Sequence, residues 1–459
     1  MSSSCSVRSA GEHAVEELST DNTMQSKVGW RVVLAILVVL AGADLLLRGP
    51  VRFAQHRDFN DFISPYIQSS AWLQGTDPYS PANLVRLWPI GAARPDFLAT
   101  NLADGSLVYK RGIPTAYPLT CFVLLAPIAI LPWHIAQALW LVVSLLAYSV
   151  MVVSLLSLTG LRRSPQSMYA FLAFALALAP FHTGLAAGSI VIVAVGLTAS
   201  AIWAARLEHN TWAGVLIALT IALKPQIGLP FLFYYVVRRK WRLSLVAVAL
   251  VTLLAAVAII RLEVAAAPWM QSYLYDNKVL FAPGSLGDFT ELNPIRFGLI
   301  SLQVPAYTIL GNRNTANIVA VLIASTLGIV WLFFVTRAGS KRDELLELSA
   351  LAVLSLLPVY HRLYDASLLI FPLAWGFVAF SGRLKLLAEG TLLLILPFLV
   401  PGGSALEQLQ HTNHFRALQQ SRWWTEAVMP HQAWCLFFLS LMLLQALRLA
   451  TATPAEARG

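Results

Sequence analysis

The chain has 459 residues, of which 58% are hydrophobic and only 12% charged, with a mean hydropathy of +0.67. A water-soluble domain carries about a quarter charged residues, so a soluble enzyme and a disordered regulator are both excluded. A length that would make two or three soluble domains is here spent on one membrane bundle. The 32 Lys and Arg against 23 Asp and Glu leave a formal charge of +9, scattered in short clusters between apolar runs. That suits loops at an anionic leaflet better than a nucleic-acid footprint. Cys5, Cys121 and Cys435 fit no CxxC or Cys/His spacing, so neither a disulfide framework nor a zinc site is expected.

Residues 1–28 are polar and Ser-rich and are expected to be a disordered cytoplasmic terminus. The apolar run from Gly29 to Leu47 follows without a small-residue cleavage site, as an uncleaved first span would. About 20 apolar residues cross the hydrocarbon core as a helix. Run length therefore predicts spans near 29–47, 115–132, 134–158, 167–185, 189–206, 212–237, 242–260, 315–337, 345–362, 366–382, 384–402 and 431–449. The expectation is an all-α polytopic membrane protein of about twelve transmembrane helices, a single domain over 29–449, with a cytoplasmic tail at 450–459. The run 115–132 is short and Pro-bounded, and 212–237 is interrupted by Pro225.

The densest basic groups are Arg238, Arg239, Lys240 and Arg242, then Arg337, Lys341 and Arg342, then Arg383 and Lys385. The positive-inside tendency puts them in the cytoplasm, with Lys27 and Arg31. Counting twelve spans from there leaves Arg162, Arg163 and Arg206 outside, against the rule, which points to a broken or re-entrant segment among residues 115–206. Three polar stretches, 48–114, 261–314 and 403–430, fall on the outer side, with interfacial helices expected in them.

The first outer loop opens with Asp58-Phe59-Asn60-Asp61-Phe62 and runs through Tyr66, Trp72 and Gly75-Thr76-Asp77-Pro78-Tyr79. Residues 63 to 73 suit an amphipathic interfacial helix with its stop and turn at Gly75 to Tyr79. A carboxylate just outside the first span can serve as general base on an acceptor hydroxyl. The same residue types also make a helix cap or a solvated loop charge. Lys224 lies inside a predicted span, where an ionisable group is a functional candidate or pairs with a buried carboxylate. His361 and Arg362 end another span beside Tyr364, with Asp365 placed to neutralise Arg362. Lys110 and Arg111 precede the second span as phosphate ligands or interfacial anchors. Trp269, Tyr273, Tyr275, Asp276, Asn277, Asp288, Glu291 and Asn293 in the middle loop have the composition of a sugar site or of an aromatic belt. His411 and His414 offer a His-x-x-His spacing with no acidic third ligand, so no metal is expected.

Asp61-Phe62, Tyr66 and Gly75-x-Asp77-Pro78-Tyr79 resemble the first-loop motif of glycosyltransferase family 87, whose members are GT-C-type membrane enzymes. Tyr117-Pro118 leading to Pro127 and Leu131-Pro132, Ala213-Gly214 followed by Lys224-Pro225, the Arg238-Arg239-Lys240-Trp241 cluster and Pro358-Val359-Tyr360-His361 extend the resemblance over about residues 40 to 380. The chain departs from the family at Gly188-Ser189-Ile190-Val191, where members often have Gly-Gln-x-Asn. The resemblance implies a GT-C-type bundle in the cytoplasmic membrane that moves a hexose, mannose by family habit, from a polyprenyl phosphate sugar to a glycolipid or glycan. It implies Asp61 as base, with Asp58 the other aspartate of that loop. A donor of that kind leaves a lipid phosphate whose growing charge calls for cations, for which His361, Arg362, Lys224 and Lys110 are the candidates, with Tyr66, Asp77, Tyr79 and Tyr117 as acceptor-side candidates. No cofactor is expected. A flippase for lipid-linked sugars or a membrane polysaccharide polymerase would draw on the same basic and aromatic residues.

Overall fold

The computed structural model describes residues 29–55, 61–90, 92, 98–100, 107–109, 117–337, 343–410 and 421–451. Asp58, Lys110, Arg111, Lys341, Arg342, His411 and His414 lie outside the described residues, as do the two expected disordered termini up to residue 28 and beyond Thr451.

Helix α1 spans Gly29–Gln55 and so continues past the expected end at Leu47. It widens into a π-turn at Leu47–Val51 around Pro50, since a proline removes a backbone donor from the ladder. Then come α2 (Ile63–Leu73), α3 (Pro81–Arg86), a small antiparallel pair β1 (Leu98–Thr100) and β2 (Leu107–Tyr109), α4 (Leu119–Ala129) and α5 (Trp133–Thr159). The middle of the chain forms α6 (Pro165–Ala177), α7 (Ala179–Ala187), α8 (Val191–Arg206), α9 (Asn210–Leu223), α10 (Pro225–Val237) and α11 (Trp241–Val264). The rest supplies α12 (Trp269–Leu280), α13 (Gln303–Leu310), α14 (Arg313–Arg337), α15 (Glu344–Leu354), α16 (Ile370–Ala379, entered through a 3-10 turn at Leu363–Leu369), α17 (Lys385–Ile395), α18 (Gly402–Gln410) and α19 (His431–Thr451). Among the described residues five helices, α1, α5, α11, α14 and α19, are long and apolar enough to cross a membrane, and α6 with α7, bent by 44°, makes a sixth if the pair is one span. The protein is thus helical and membrane-spanning, and several expected spans are shorter than a bilayer crossing needs.

Two expected spans change character. The segment 212–237 folds back on itself. Lys224 sits before Pro225 in extended conformation, φ −149° and ψ 93°, the conformation that a following proline favours, and α10 returns alongside α9. Gly228 makes this possible, because a Cβ there would stand 2.7 Å from the backbone nitrogen of Ile221. The two open ends meet again, Arg206 and Glu208 lining one cavity with Tyr234 and Arg238. The run 115–132 also does not cross the bundle. Its helix α4 begins with the Thr120 hydroxyl on the carbonyl of Ala222 and ends with the carbonyl of Leu131 accepting from Tyr66, so both of its ends stay near the Lys224 tip and α2.

These two changes reunite the basic clusters. The Trp140 indole donates to the carbonyl of Gly188 at 2.8 Å and Gly196 lies against Ala147, so α5 and α8 run in the same direction and end at the same level. Arg162 and Arg163 therefore stand at the end where Arg206 stands. Arg206 in turn shares its cavity with Arg238 and Lys240. Arg238 donates to the carbonyl of Val335 near Arg337, and Arg383 to that of Leu449. All the described basic clusters gather at one end of the bundle.

A buried ion pair ties that end together. Glu347, 1% exposed along its side chain, accepts from Arg238 Nε at 3.1 Å, from a second nitrogen of the same guanidinium and from the Tyr234 hydroxyl at 2.8 Å. Deleting one partner strands a charge in an apolar interior, at about 3–5 kcal/mol. Glu347→Ala is accordingly expected to lower the melting temperature of the purified protein by several degrees, while an Arg238→Met, Glu347→Leu double variant recovers most of the loss. A single variant as stable as the parent would remove the pair from the list of supports.

The main core joins α5–α10 to α14–α17 and α19. A second core at the opposite end packs α2, α4 and the first turns of α5 against the end of α11. Phe62 anchors it, stacked at 4.6 Å and 5° on Trp140, while the Trp72 indole donates to the carbonyl of Ala258. The residue before Phe62 is thus held on a rigid platform.

Candidate active site

Asp61 follows α1 and directly precedes that platform. Its backbone N–H donates to the carbonyl of Ala187 at 2.6 Å, where Gly188 ends α7 in the left-handed region, φ 66°. The half-buried carboxylate accepts a hydrogen bond from Tyr364 and feels the charges of Arg362 and Lys224. Its Oδ2 has no partner. Burial lifts the Asp61 carboxyl above the ordinary carboxylate range, while Arg362, the Tyr364 hydroxyl and Lys224 pull it back. A carboxylate whose proton affinity is raised by burial is a better base than one in water.

Arg362 reaches the site from the strand-like segment after α15. Its main chain bridges to Leu299, and the N–H of Ile300 donates to the carbonyl of His361 at 3.0 Å. The Arg362 Nε donates to the Tyr360 hydroxyl at 2.9 Å, while one terminal nitrogen is buried without a partner. Burial opposes the Arg362 charge, but Tyr360, Tyr364 and Asp61 outweigh it and hold the guanidinium firmly protonated. Beside it lies a cavity of about 180 Å³ lined by Arg362, Tyr364, Thr183, Gln432 and Gly403, among others. Gly403 closes one wall, since a Cβ there would overlap the carbonyl of Phe297.

Asp365 organises the rest. Its Oδ1 takes Lys224 Nζ at 2.5 Å, and its Oδ2 takes the N–H of Arg362 at 2.9 Å and faces His361 Nδ1 at 3.2 Å. The Asp365 side chain therefore neutralises Lys224 rather than the guanidinium it was expected to balance. His361 is 1% exposed, and its other nitrogen, Nε2, faces the carbonyl of Ser355 at 3.1 Å. With both ring nitrogens occupied by protein oxygens, His361 holds Asp365 in place and has no free nitrogen to offer a phosphate. Lys224, paired and stacked 5.4 Å above the Tyr364 ring, acts on Asp61 through its field.

The structure thus brings Asp61, Lys224, His361, Arg362 and Tyr117 into one neighbourhood, Tyr117 being coupled electrostatically to Asp61. The polar groups of Tyr66, Asp77 and Tyr79 are taken up by other contacts. Tyr66 donates to the carbonyl of Leu131 at 2.8 Å and Tyr79 to that of Tyr117 at 3.0 Å. Asp77 accepts from the N–H of Tyr79 at 2.9 Å and from the Ser272 hydroxyl, so it fastens the turn after α2 to α12. In the middle loop, Asp288 is spent on Gly284 and Thr290 and Asn293 on the carbonyl of Asp288, which leaves neither for a sugar. Among the described residues no three His, Cys, Asp or Glu side chains converge as a metal site would need.

The sequence matches the family model of glycosyltransferase family 87 over residues 115–361, more than half of the chain. The chain belongs to glycosyltransferase family 87. No curated protein and no solved structure matches it. Family membership makes the protein a membrane glycosyltransferase with a sugar donor and an acceptor. The family 87 match holds Tyr117 and Lys224 and stops at His361, so Asp61 precedes it and Arg362, Tyr364 and Asp365 follow it. Tyr364 and Asp365 gave no motif in the sequence; their signal is the set of four polar residues His361, Arg362, Tyr364 and Asp365, interrupted only by Leu363, at the mouth of an apolar helix.

Away from this cluster, Asp276 on α12 is 1% exposed with neither carboxylate oxygen partnered. Burial pushes its carboxyl up to about 8, and the Asp77 carboxylate adds to the shift. Between the ordinary carboxylate range and about pH 8 the folded protein keeps a proton that the unfolded chain has lost. Stability should therefore fall as pH rises through that window, by up to ~1.4 kcal/mol per pH unit. In Asp276→Asn the melting temperature is expected to lose this slope; an unchanged pH profile would refute the assignment.

Proposed function

We propose that this glycosyltransferase moves a hexose, mannose in the first instance, from a polyprenyl phosphate sugar to a glycolipid or glycan at the outer face of the cytoplasmic membrane. The observation that carries the proposal is the pairing of an unsatisfied Asp61 oxygen with an unsatisfied Arg362 nitrogen on either side of Tyr364, beside the cavity that Arg362 and Tyr364 line. Asp61 accepts the proton of the acceptor hydroxyl as its oxygen attacks the anomeric carbon. The bond to the lipid phosphate breaks, and the charge that grows on the departing oxygen meets the Arg362 guanidinium. Lys224, Asp365 and His361 fix the segment that carries Arg362.

Sidedness is supported by the basic clusters. With all of them at the end opposite Asp61, the positive-inside tendency puts that end in the cytoplasm and Asp61 outside. The exceptions at Arg162, Arg163 and Arg206 disappear because α9 and α10 form a hairpin. If the shorter helices also cross, losing 115–132 and splitting 212–237 leaves the expected twelve passages unchanged. Incubating the purified protein with radiolabelled polyprenyl phosphomannose and a membrane glycolipid extract tests the activity. Label in the glycolipid is the expected result, and label that only changes leaflet in proteoliposomes would overturn it.

A further inference from the structure

A second cavity, of about 340 Å³ and lined largely by charged residues, lies at the other end of the same helices, where α8 and α10 end and α9 and α15 begin. The 14 residues of α9 rise about 21 Å, so this cavity is far from Lys224 and takes no part in transfer. Arg206, Arg238 and Lys240 line it with Glu208, Glu344 and Tyr235. Trp212 and Trp241, in the first turns of α9 and α11, are 68% and 56% exposed. Exposed indoles at helix ends mark headgroup depth. The cavity therefore opens where lipid headgroups lie.

Its charges are not equally available. Arg238 is consumed by Glu347 and the carbonyl of Val335. Arg206 pairs with Glu344 at 3.5 Å and Lys240 with Glu208 at 3.1 Å. The Arg206 and Glu208 side chains are 64% and 71% exposed, and such surface pairs contribute little and exchange readily. The neighbouring Arg239 and Arg242 tip the local balance to positive. The Tyr235 hydroxyl in the wall is buried without a partner. Basic cavities between helices at the cytoplasmic headgroup level suit anionic lipid phosphates.

We propose that this cavity binds the phosphate headgroup of an anionic phospholipid, with Lys240 leaving Glu208 for the phosphate and Arg206 as the second cation. The site is separate from the donor site and does not depend on the sugar transferred. It is tested on the full-length protein in neutral detergent by following the melting temperature as phosphatidylglycerol, phosphatidylcholine or inorganic phosphate is added. Phosphatidylglycerol is expected to raise it by a few degrees, and the other two to leave it unchanged. Measured from each variant's own lipid-free baseline, Arg206→Ala and Lys240→Ala should each shift the midpoint to about fivefold more lipid. Glu208→Gln removes the competing carboxylate and should shift it to less lipid. Equal stabilisation by phosphatidylcholine would overturn the site, equal stabilisation by inorganic phosphate would overturn its assignment to a lipid, and weaker binding in Glu208→Gln would overturn the exchange.

Discussion

Asp61→Asn is expected to abolish sugar transfer, lowering kcat by roughly 10²–10⁴-fold, while the protein inserts and melts as the parent does. The amide keeps the size of the carboxylate and still accepts from Tyr364, and losing a charge that burial disfavours offsets the loss of its attraction to Arg362. Only the ability to take a proton is gone. Because burial raises the Asp61 carboxyl before Arg362 and Lys224 pull it back, its acid form persists to higher pH than that of an exposed aspartate. The acid limb of kcat/KM in the parent should accordingly sit above the ordinary carboxylate range, and activity should fall as pH drops through it. Asp58→Asn, in the same loop, is the control and is expected to retain transfer. Full activity in Asp61→Asn would remove the base from the mechanism, and loss of activity only in Asp58→Asn would move it three residues upstream.

The helices and the acid were legible in the sequence because each has a local cause. Run length gave α1, α5, α11, α14 and α19, and the Asp61-Phe62 string with its Gly75 to Tyr79 turn located the opening loop. What stayed hidden depends on contacts between distant segments. Pro225 announced a break, but whether the chain bends or reverses there is decided by Gly228 against Ile221, a pair that no single-helix periodicity reveals. The misplaced Arg206 was the trace of that reversal in the charge pattern; the suspected region, 115–206, holds the non-crossing α4 and the 44° bend between α6 and α7, and the reversal itself lies just beyond it. Likewise the role of Asp365 could not be read beside Arg362, because its partner Lys224 is 141 positions away. His361 looked like a ligand by residue type, and its commitment to Asp365 and Ser355 is visible only in three dimensions.

Arg362→Gln is the second large effect. Its free terminal nitrogen is the described cationic donor at the cavity that no protein acceptor claims, so it has a hydrogen bond to give when a phosphate oxygen becomes charged. Removing one preorganised donor from a developing oxyanion lowers kcat by about 10²–10³-fold. The loss should fall mainly on kcat, since the charge it meets grows as the anomeric bond breaks, and KM for the donor should change less. Arg362→Lys restores the charge without the planar fork and should recover part of the rate. His361→Asn provides the contrast: among the described residues its ring nitrogens meet Asp365 and Ser355, so its effect passes through Asp365, and the part that Asp365 relays to Arg362 should vanish when Arg362 is already Gln. A double variant that loses the full product of the two single effects would mean that His361 meets the substrate on its own account, and that Asp365 is not its route to the site.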